Sequence, residues 1–369
     1  MKIVFLCKRH YMGKDVIRDR YGRLYEIPWH LSRAGHQVQA LCLDYRGQQN
    51  FCRADEALLH WSSLALKDWR LLQLPGYPYR LLNQLRGFRP DVVLAASDIP
   101  HIILGAWLAR RLKIPLAVDL YDNFESFGQA RLPGFVPGLR RAIRQAALVT
   151  TTSAALGDFI QSVCPPAGRI LPLPSSVDTR VFYPMSRQQC RKQLGLPLQA
   201  LLVGTAGNLT REKGIDTLYQ AWMQLATRQP DTHLVLAGPR DPRLPLPCGP
   251  RVHDLGLLPH ARVAELFAAL DVGVMCIRDS AFGHYCFPQK AYEMLACQLP
   301  VVTANIGAMA TLFAGHSENL YQPGDAGHLA QQLEHQLKYP SLPPIPLCTW
   351  QELVTQLEHH LRNLPAFSP

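Results

Sequence analysis

Short apolar runs alternate along this chain with amphipathic segments long enough for helices, and that alternation is typical of βα units built around parallel sheets. In the N-terminal half we predict strands at Lys2–Cys7, Gln37–Leu43, Asp91–Ala95, Leu116–Leu120 and Leu148–Thr152. The first connecting helix is predicted at Tyr25–Ala34, because Gly35 follows it as a C-cap.

A proline-rich break over residues 165–184 separates the two halves of the chain. Beyond it the alternation resumes, with predicted strands at Leu201–Ala206, His233–Ala237, Val252–Leu255, Asp271–Ile277 and Val301–Ala304. Helices are predicted at Ile215–Ala226, at Phe287–Cys297 and, after the proline-rich stretch Tyr339–Pro346, at Trp350–Leu361.

These elements predict an α/β protein with two Rossmann-like, doubly wound parallel-sheet domains that face a cleft. We expect an N-terminal domain over 1–180, a C-terminal domain over 181–345 and a final helical segment over 346–369. In such sheets ligands bind beyond the carboxyl ends of the strands, so the site is expected there.

Composition narrows the function classes. Hydrophobic residues make up 48% of the 369 residues and charged residues 18%, which fits a chain with large cores. The ten cysteines show no metal-ligand or disulfide spacing, no Asp-x-Asp pair is present, and no apolar run is long enough for a membrane span. We therefore expect a cytoplasmic protein without a metal cofactor.

The net charge of +10 favours phosphorylated ligands or anionic membrane surfaces. Basic residues are interleaved with aromatic and aliphatic ones in Lys67–Arg89 and Arg131–Arg144. Such segments suit the inner face of a membrane, although an ordinary solvated helix face has the same composition. Nucleic-acid binding would depend on net charge alone, so we do not expect it.

The segment Leu202–Asp216 has the order strand, glycine turn, basic loop and helix start. Gly207 and Gly214 allow the backbone to approach a ligand, and Lys213 and Arg211 supply charge for phosphate. The following helix adds unpaired N–H groups at its start. A βα turn of this composition is also common without any ligand, and the segment does not match the Walker pattern.

A second segment, Tyr285–Val302, carries Lys290 and Glu293, which are neighbours on one face of a helix. Pro288 suits the first turn of that helix. The pair is either a surface ion pair or the polar face of a ligand site.

Several motifs in order resemble the family 4 glycosyltransferases, which are retaining enzymes of the GT-B fold. The matching segments are Gly207–Leu209, Lys213–Asp216, Leu270–Val274, Glu293–Cys297 with Pro300–Val302, Pro323–Asp325, Ser176–Pro184 and, in the first domain, Gly35–Val38. Phe287–Glu293 resembles the sub-branch with a Pro-x-Lys-x-x-Glu motif. The resemblance spans nearly the whole chain and implies transfer of a sugar from a nucleotide-sugar to an acceptor.

The resemblance also implies roles for single residues. Glu293 would accept hydrogen bonds from the ribose hydroxyls, while Lys213 and Lys290 would bind the diphosphate and act in catalysis. The other residues expected to bind the nucleotide-sugar are Gly22, Gly207, Asn208, Arg211, Tyr285 and Phe287. In the first domain Tyr121 and Asp122 would lie at the reacting sugar as further catalytic residues.

Three positions depart from the family pattern. Asn208 replaces an Arg, Tyr285 replaces a first Glu and Tyr121 replaces a His, and the stretch Asp279–Tyr285 is longer than in the family. Arg211 is a candidate to supply the charge that Asn208 lacks.

The expected function is retaining, metal-independent transfer to a saccharide or lipid-linked acceptor, in the biosynthesis of a cell-surface polysaccharide or glycoconjugate. Two alternatives stay open at this point. A sugar-nucleotide epimerase on the same fold would use Asp119, Asp122 and Glu125 as acid and base. A non-catalytic partner subunit would explain the three departures.

Overall fold

The computed structural model of the chain describes residues 1–47, 50–56, 58–66, 76–287, 289–344 and 348–365. The chain folds into two compact units. Unit 1 comprises Met1–Ser175 together with Trp350–Pro369, and unit 2 comprises Ser176–Thr349. Each unit has its own core around its own sheet.

Unit 1 contains a mainly parallel sheet of eight strands in the order β10-β9-β8-β7-β1-β4-β6-β5 and a small antiparallel pair, β2 and β3. The strands are β1 Lys2–Lys8, β2 His10–Tyr11, β3 Lys14–Asp15, β4 Gln37–Asp44, β5 Phe51–Glu56, β6 Leu59–Ala65, β7 Val92–Ala96, β8 Leu116–Leu120, β9 Leu148–Thr151 and β10 Arg169–Pro172. The helices are α1 Arg23–Arg33, α2 Tyr77–Phe88, α3 Ile99–Leu112, α4 Phe135–Arg144 and α5 Ala154–Val163. Short 3-10 turns lie at Phe124–Ser126 and Gly128–Arg131.

Unit 2 contains a parallel sheet of six strands in the order β13-β12-β11-β14-β15-β16, which is the doubly wound Rossmann order. Its strands are β11 Leu201–Ala206, β12 Thr232–Ala237, β13 Val252–Asp254, β14 Val272–Met275, β15 Val301–Ala304 and β16 Leu320–Tyr321. Its helices are α6 Arg187–Leu194, α7 Ile215–Arg228, α8 His260–Ala269, α9 Ala281–Tyr285, α10 Gln289–Ala296, α11 Gly307–Leu312 and α12 Ala326–Lys338. Short 3-10 turns lie at Arg211–Lys213 and Ser317–Asn319.

The strands predicted from apolar runs are present in both units, and the prediction of two doubly wound parallel sheets is confirmed. Six strands were missed, namely β2, β3, β5, β6, β10 and β16. Of these, β5 is antiparallel and forms one edge of the sheet. Strand β10 lies within the proline-rich stretch that was predicted to be only a break between the two halves. In β6 buried and more exposed positions alternate, so no continuous apolar run marks it. The predicted helix Phe287–Cys297 was also too long: Gln289–Ala296 is helical, and α9 is a separate element before it.

The last helix, α13 Trp350–Arg362, belongs to unit 1 and packs against α1. Its apolar face is buried, with Leu353, Val354 and Leu357 in the core of that unit. Glu358 accepts a hydrogen bond from the His36 ring at 2.9 Å. Burial alone would raise the pKa of the Glu358 carboxyl, but the bonds from Arg362 and His36 lower it overall.

Among the described helices, none is long and apolar enough to cross a bilayer.

Candidate active site

The turn after β11 is built around glycines that bring two backbones together. Gly207 has φ +115°, and its N–H donates to the Ala237 carbonyl at 2.9 Å. Gly238, with φ +128°, follows β12, and a Cβ on it would lie 2.1 Å from the Gly207 oxygen. Side chains other than hydrogen are therefore excluded at Gly238, because the backbones of the two turns pack directly on each other.

Lys290 of α10 reaches this turn. A Cβ on Gly207 would lie 2.6 Å from Lys290 Nζ, so only glycine leaves room for the ammonium group there. Burial lowers the pKa of Lys290, and the neighbouring Glu293 carboxylate partly offsets that shift. The structure thus brings together two residues far apart in the sequence, both of which were predicted for the phosphate site.

Glu293 follows Lys290 on the same face of α10 and is 8% exposed. His260, at the start of α8, places its Nε2 3.8 Å from Glu293 Oε1. The His260 ring in turn packs edge-on against Phe182, with centroids 5.0 Å apart. These neighbours hold a nearly buried carboxylate beside the ammonium group, an arrangement that can accept hydrogen bonds from ligand hydroxyls.

Lys213 ends a 3-10 turn directly before α7. Gly214, with φ +79°, separates Lys213 from the first residue of the helix, so the chain turns sharply into α7. Lys213 Nζ lies 3.5 Å from the centroid of the Phe282 ring, which α9 contributes. The Lys213 charge adds to the lowering of the Lys290 pKa.

The other predicted residues of unit 2 lie around this centre. Asn208 is exposed beside the buried Leu209. Arg211 is 62% exposed, and its Nε lies 3.9 Å from Asp216 Oδ2. Tyr285 is half-buried at the end of α9, and the Phe287 ring packs on Tyr292 with centroids 4.8 Å apart. Pro288 lies outside the described residues.

Sequence reasoning missed three side chains of this region, namely Arg278, Cys276 and His260. Burial raises the pKa of the Cys276 thiol to about 12, while the Lys290 charge acts in the opposite direction. Arg278 and Cys276 both follow β14, whose neighbour in the sheet is β11. The rule that sites gather at carboxyl strand ends would have indicated both, once the strand order was known.

Unit 1 has a polar cluster at its own topological switch point, between β1 and β7. The Lys8 backbone N–H donates to Ser97 Oγ at 2.8 Å, and Lys8 Nζ donates to the Tyr121 hydroxyl at 2.7 Å. Burial lowers the pKa of Lys8 and raises that of Tyr121. Ser97 is fully buried with φ +83°, a strained conformation for a residue with a Cβ.

The remaining predicted residues of unit 1 surround Tyr121. Gly22 has φ +71°, and a Cβ there would approach the Tyr11 ring to 3.0 Å. The Tyr11 and Tyr121 rings meet edge-on with centroids 5.0 Å apart. Asp122 is buried, and its carboxylate accepts the Asn123 N–H at 2.8 Å. Gly22, Tyr121 and Asp122 therefore belong to one site-like cluster in this unit.

Two family models match the chain, one to each half. The model of the glycosyl transferase 4-like domain matches residues 24–175, and the model of the glycosyl transferases group 1 matches residues 200–338. The chain belongs to the GT-B glycosyltransferases.

Named relatives and solved structures agree with this membership. The D-inositol 3-phosphate glycosyltransferase of Stackebrandtia nassauensis is 30% identical over 64% of this chain, and the match spans only 54% of that relative. The GDP-mannose-dependent alpha-mannosyltransferase of Mycobacterium tuberculosis is 28% identical over 80% of this chain and 77% of its own length. The structure of HepE from Anabaena, in complex with UDP, aligns with a TM-score of 0.68, 21% identity and coverage of 99% and 96%.

In this GT-B chain two of the three carboxylates that an epimerase would need, those of Asp119 and Glu125, are engaged in ion pairs. Arg23 donates to both oxygens of Asp119, at 2.6–3.0 Å, and to the Leu173 carbonyl at 2.8 Å. Arg140 makes two bonds of 2.7 Å to Glu125. Both carboxylates thus serve to hold structure in unit 1.

Proposed function

We propose that the chain is a retaining, metal-independent glycosyltransferase that uses a nucleotide-sugar donor and a saccharide or lipid-linked acceptor. The observation that carries this proposal is the position of Lys290 Nζ against Gly207, with Glu293 adjoining it on the same helix. A cation against a glycine turn and beside a buried carboxylate suits a diphosphate joined to a ribose.

On the donor side, Glu293 would accept the ribose hydroxyl protons in hydrogen bonds, while Lys290 and Lys213 would neutralise the diphosphate. Support comes from similar structures, since HepE of Anabaena has been solved in complex with UDP and in complex with UDP-glucose. Two cations stabilise the charge that develops on the departing diphosphate, and this stabilisation lowers the barrier without a metal ion.

In the proposed reaction the bond from the anomeric carbon to the diphosphate breaks, and the acceptor oxygen bonds to that carbon on the same face. The acceptor proton passes to the leaving phosphate oxygen, so the products are a glycoside and a nucleoside diphosphate. The protein orients the partners and excludes water.

Tyr121 would orient a sugar hydroxyl in this reaction. Because Lys8 donates to the Tyr121 oxygen, the phenolic proton is left to donate elsewhere. Asp122, the next residue in the chain, would accept a hydrogen bond from a sugar hydroxyl.

For the acceptor we propose a glycan or lipid-linked glycan of a cell-surface polysaccharide, reached at the inner face of a membrane. In the stretch Arg131–Arg144 the side chains of Arg131, Arg141 and Arg144 are exposed, and Leu132 is 52% exposed beside them. Of the other basic stretch, Lys67–Arg89, residues 67–75 lie outside the described residues. We expect the chain to sediment with anionic liposomes at low salt, and the double variant Arg141→Glu/Arg144→Glu to lose most of that binding. Equal sedimentation of both proteins would remove the support for this surface.

Turnover with UDP-, GDP-, ADP- and TDP-sugars in the presence of EDTA tests the chemistry. We expect release of one nucleoside diphosphate, and an NMR spectrum in which the product keeps the anomeric configuration of the donor. An inverted product contradicts retention. Binding of a donor with no release, over a range of acceptors, would favour the non-catalytic partner subunit instead.

A further inference from the structure

The segment after β14 brings another cation to the phosphate turn. Arg278 lies just beyond β14, and β14 pairs with β11, so the carboxyl ends of both strands share one edge of the sheet. The Cγ and backbone N of Arg278 lie 3.4 and 3.5 Å from the position of a Cβ on Gly214. Arg278 therefore packs directly on the residue that joins Lys213 to α7.

The guanidinium group of Arg278 is held in one orientation. Its Nη2 donates to Asp216 Oδ2 at 2.5 Å, and Asp216 lies in the first turn of α7. Within the part of the chain that the structure describes, this carboxylate is the one hydrogen-bonding partner of Arg278. Arginine carries five N–H donors, so the Nε and Nη1 sides are left for another acceptor.

The exposure of Arg278 and the charges around it both favour binding of an anion beside this side chain. The Arg278 side chain is 45% exposed, so a ligand can reach it. The Lys213 and Lys290 charges act on the same region, while Asn208 in the turn is uncharged. One carboxylate, Asp216, is shared between Arg278 and the more distant Arg211 at 3.9 Å. The cluster thus carries more positive than negative charge beside the glycine turn, which favours an anion there.

We infer that Arg278 is a further phosphate-binding residue of this chain, and that it takes the diphosphate of a nucleoside diphosphate or nucleotide-sugar with Asp216 as its positioning residue. This inference rests on the proposed donor site in unit 2. The stretch Asp279–Tyr285, which directly follows Arg278, contributes Phe282 and so packs an aromatic ring on Lys213.

The competing account treats the Arg278–Asp216 pair as a clamp that only secures the loop before α9. The two accounts differ in what loss of the guanidinium does to phosphate recognition. A clamp would affect all nucleotides equally through the fold, whereas a phosphate ligand distinguishes a nucleoside diphosphate from the corresponding monophosphate.

The experiment is calorimetric titration of the full chain with the preferred nucleoside diphosphate and with its monophosphate. For Arg278→Met we expect the diphosphate Kd to rise tenfold or more and the monophosphate Kd to change less than about threefold, because a charge-assisted hydrogen bond to one phosphate is lost. Arg278→Lys should recover part of the loss, and Asp216→Asn should weaken only diphosphate binding, by a smaller factor. Arg187→Met is the matched control, since Arg187 is an exposed arginine of unit 2 that pairs with Asp271 at 2.8 Å.

An unchanged diphosphate Kd in Arg278→Met overturns the inference. A parallel loss for both nucleotides with a lower melting temperature also overturns it, in favour of the clamp. If the wild-type chain binds none of the UDP, GDP, ADP and TDP series, the proposed function falls, and the role of Arg278 falls with it.

Discussion

The carboxyl edges of the two sheets are arranged in opposite ways. In unit 2 the two lysines of the edge lie against glycine backbone and an aromatic ring, Lys290 on Gly207 and Lys213 on Phe282, while Arg278 pairs with Asp216. In unit 1 each cation of the edge donates to a defined side-chain oxygen: Lys8 to Tyr121 and Arg23 to Asp119.

This difference indicates different ligands for the two edges. An edge at which the cations outnumber the carboxylates favours a polyanion such as a diphosphate. An edge whose charges are paired with hydroxyl and carboxylate oxygens favours a neutral, hydroxyl-rich ligand that exchanges single hydrogen bonds. We therefore expect the two edges to recognise different ligands, and the predictions below test each half of that contrast.

The largest expected effect concerns the buried pair of unit 1. Asp119→Ala leaves the fully buried Arg23 guanidinium without its carboxylate, and we expect the free energy of unfolding of this unit to fall by about 3–5 kcal/mol. Urea unfolding measures it. In the control Asp178→Ala, which breaks the exposed pair with Arg180, the loss should stay below about 1 kcal/mol. If both variants lost a similar amount of unfolding free energy, the Arg23–Asp119 pair would stabilise unit 1 no more than an exposed ion pair does.

The second prediction concerns the cation on the glycine turn. Lys290→Met should lower kcat by about 10²–10³-fold at saturating donor, because charge on the leaving diphosphate is no longer stabilised. Steady-state release of the nucleoside diphosphate measures the effect. Lys192→Met, at an exposed lysine of α6, is the control. If kcat of the Lys290 variant stayed within threefold of wild type, the proposed diphosphate binding by the edge of unit 2 would be contradicted.

A smaller effect is expected from the hydroxyl that Lys8 contacts. Tyr121→Phe removes one hydrogen bond to a charged group, so we expect kcat to fall about tenfold to a hundredfold. The affinity for nucleoside diphosphate, which unit 2 supplies in this account, should not change. Tyr121→His, which introduces the residue of the family pattern, should recover part of the rate. Loss of nucleotide affinity in Tyr121→Phe would contradict the claim that unit 2 alone binds the nucleotide.

The smallest effect concerns pH and lies outside both edges. His233 on β12 and His253 on β13 stack with centroids 5.2 Å apart, and their Nδ1 and Nε2 atoms are 2.9 Å apart. Burial lowers the pKa of both rings below the ordinary 6.5, and the His253 and Arg251 charges add to this for His233. The unfolded chain therefore takes up protons first, so the stabilisation is complete above pH 6.5 and is lost as the pH falls through that value.

Between pH 7.5 and pH 5.5 the free energy of unfolding of unit 2 should therefore fall less in His233→Gln than in wild type. We expect the two decreases to differ by less than about 1 kcal/mol. Thermal unfolding at the two pH values measures the difference. A larger acid loss in the variant would contradict the sign of the shift.

Buried parallel strands were the most predictable part of the fold. Leu116–Leu120, Leu201–Ala206 and Val301–Ala304 have the predicted bounds, because strands covered on both faces leave continuous apolar runs. The edge strand β5 was missed, since it carries Arg53 within Phe51–Glu56 and contributes no such run.

The candidate site was predictable in its residue types and less so in its contacts. Glycine turns and a Lys-x-x-Glu helix are local patterns, so Gly207, Lys290 and Glu293 could be named from the sequence. Arg278 could not, because its approach to Gly214 depends on the pairing of β14 with β11. The Lys8–Tyr121 bond likewise depends on the strand order β8-β7-β1, which apolar runs do not reveal. The roles of all these site residues stay predictions.

The most direct test of the central claim is thermal unfolding of wild type and Glu293→Ala with UDP-, GDP-, ADP- and TDP-sugars. A ligand that binds the folded state stabilises it by about 2.7 kcal/mol at a hundredfold excess over Kd. The account predicts that one nucleotide class raises the melting temperature of wild type and leaves that of Glu293→Ala unchanged. Equal shifts in both proteins, or no shift with any donor at millimolar concentration, would contradict a nucleotide-sugar site on α10.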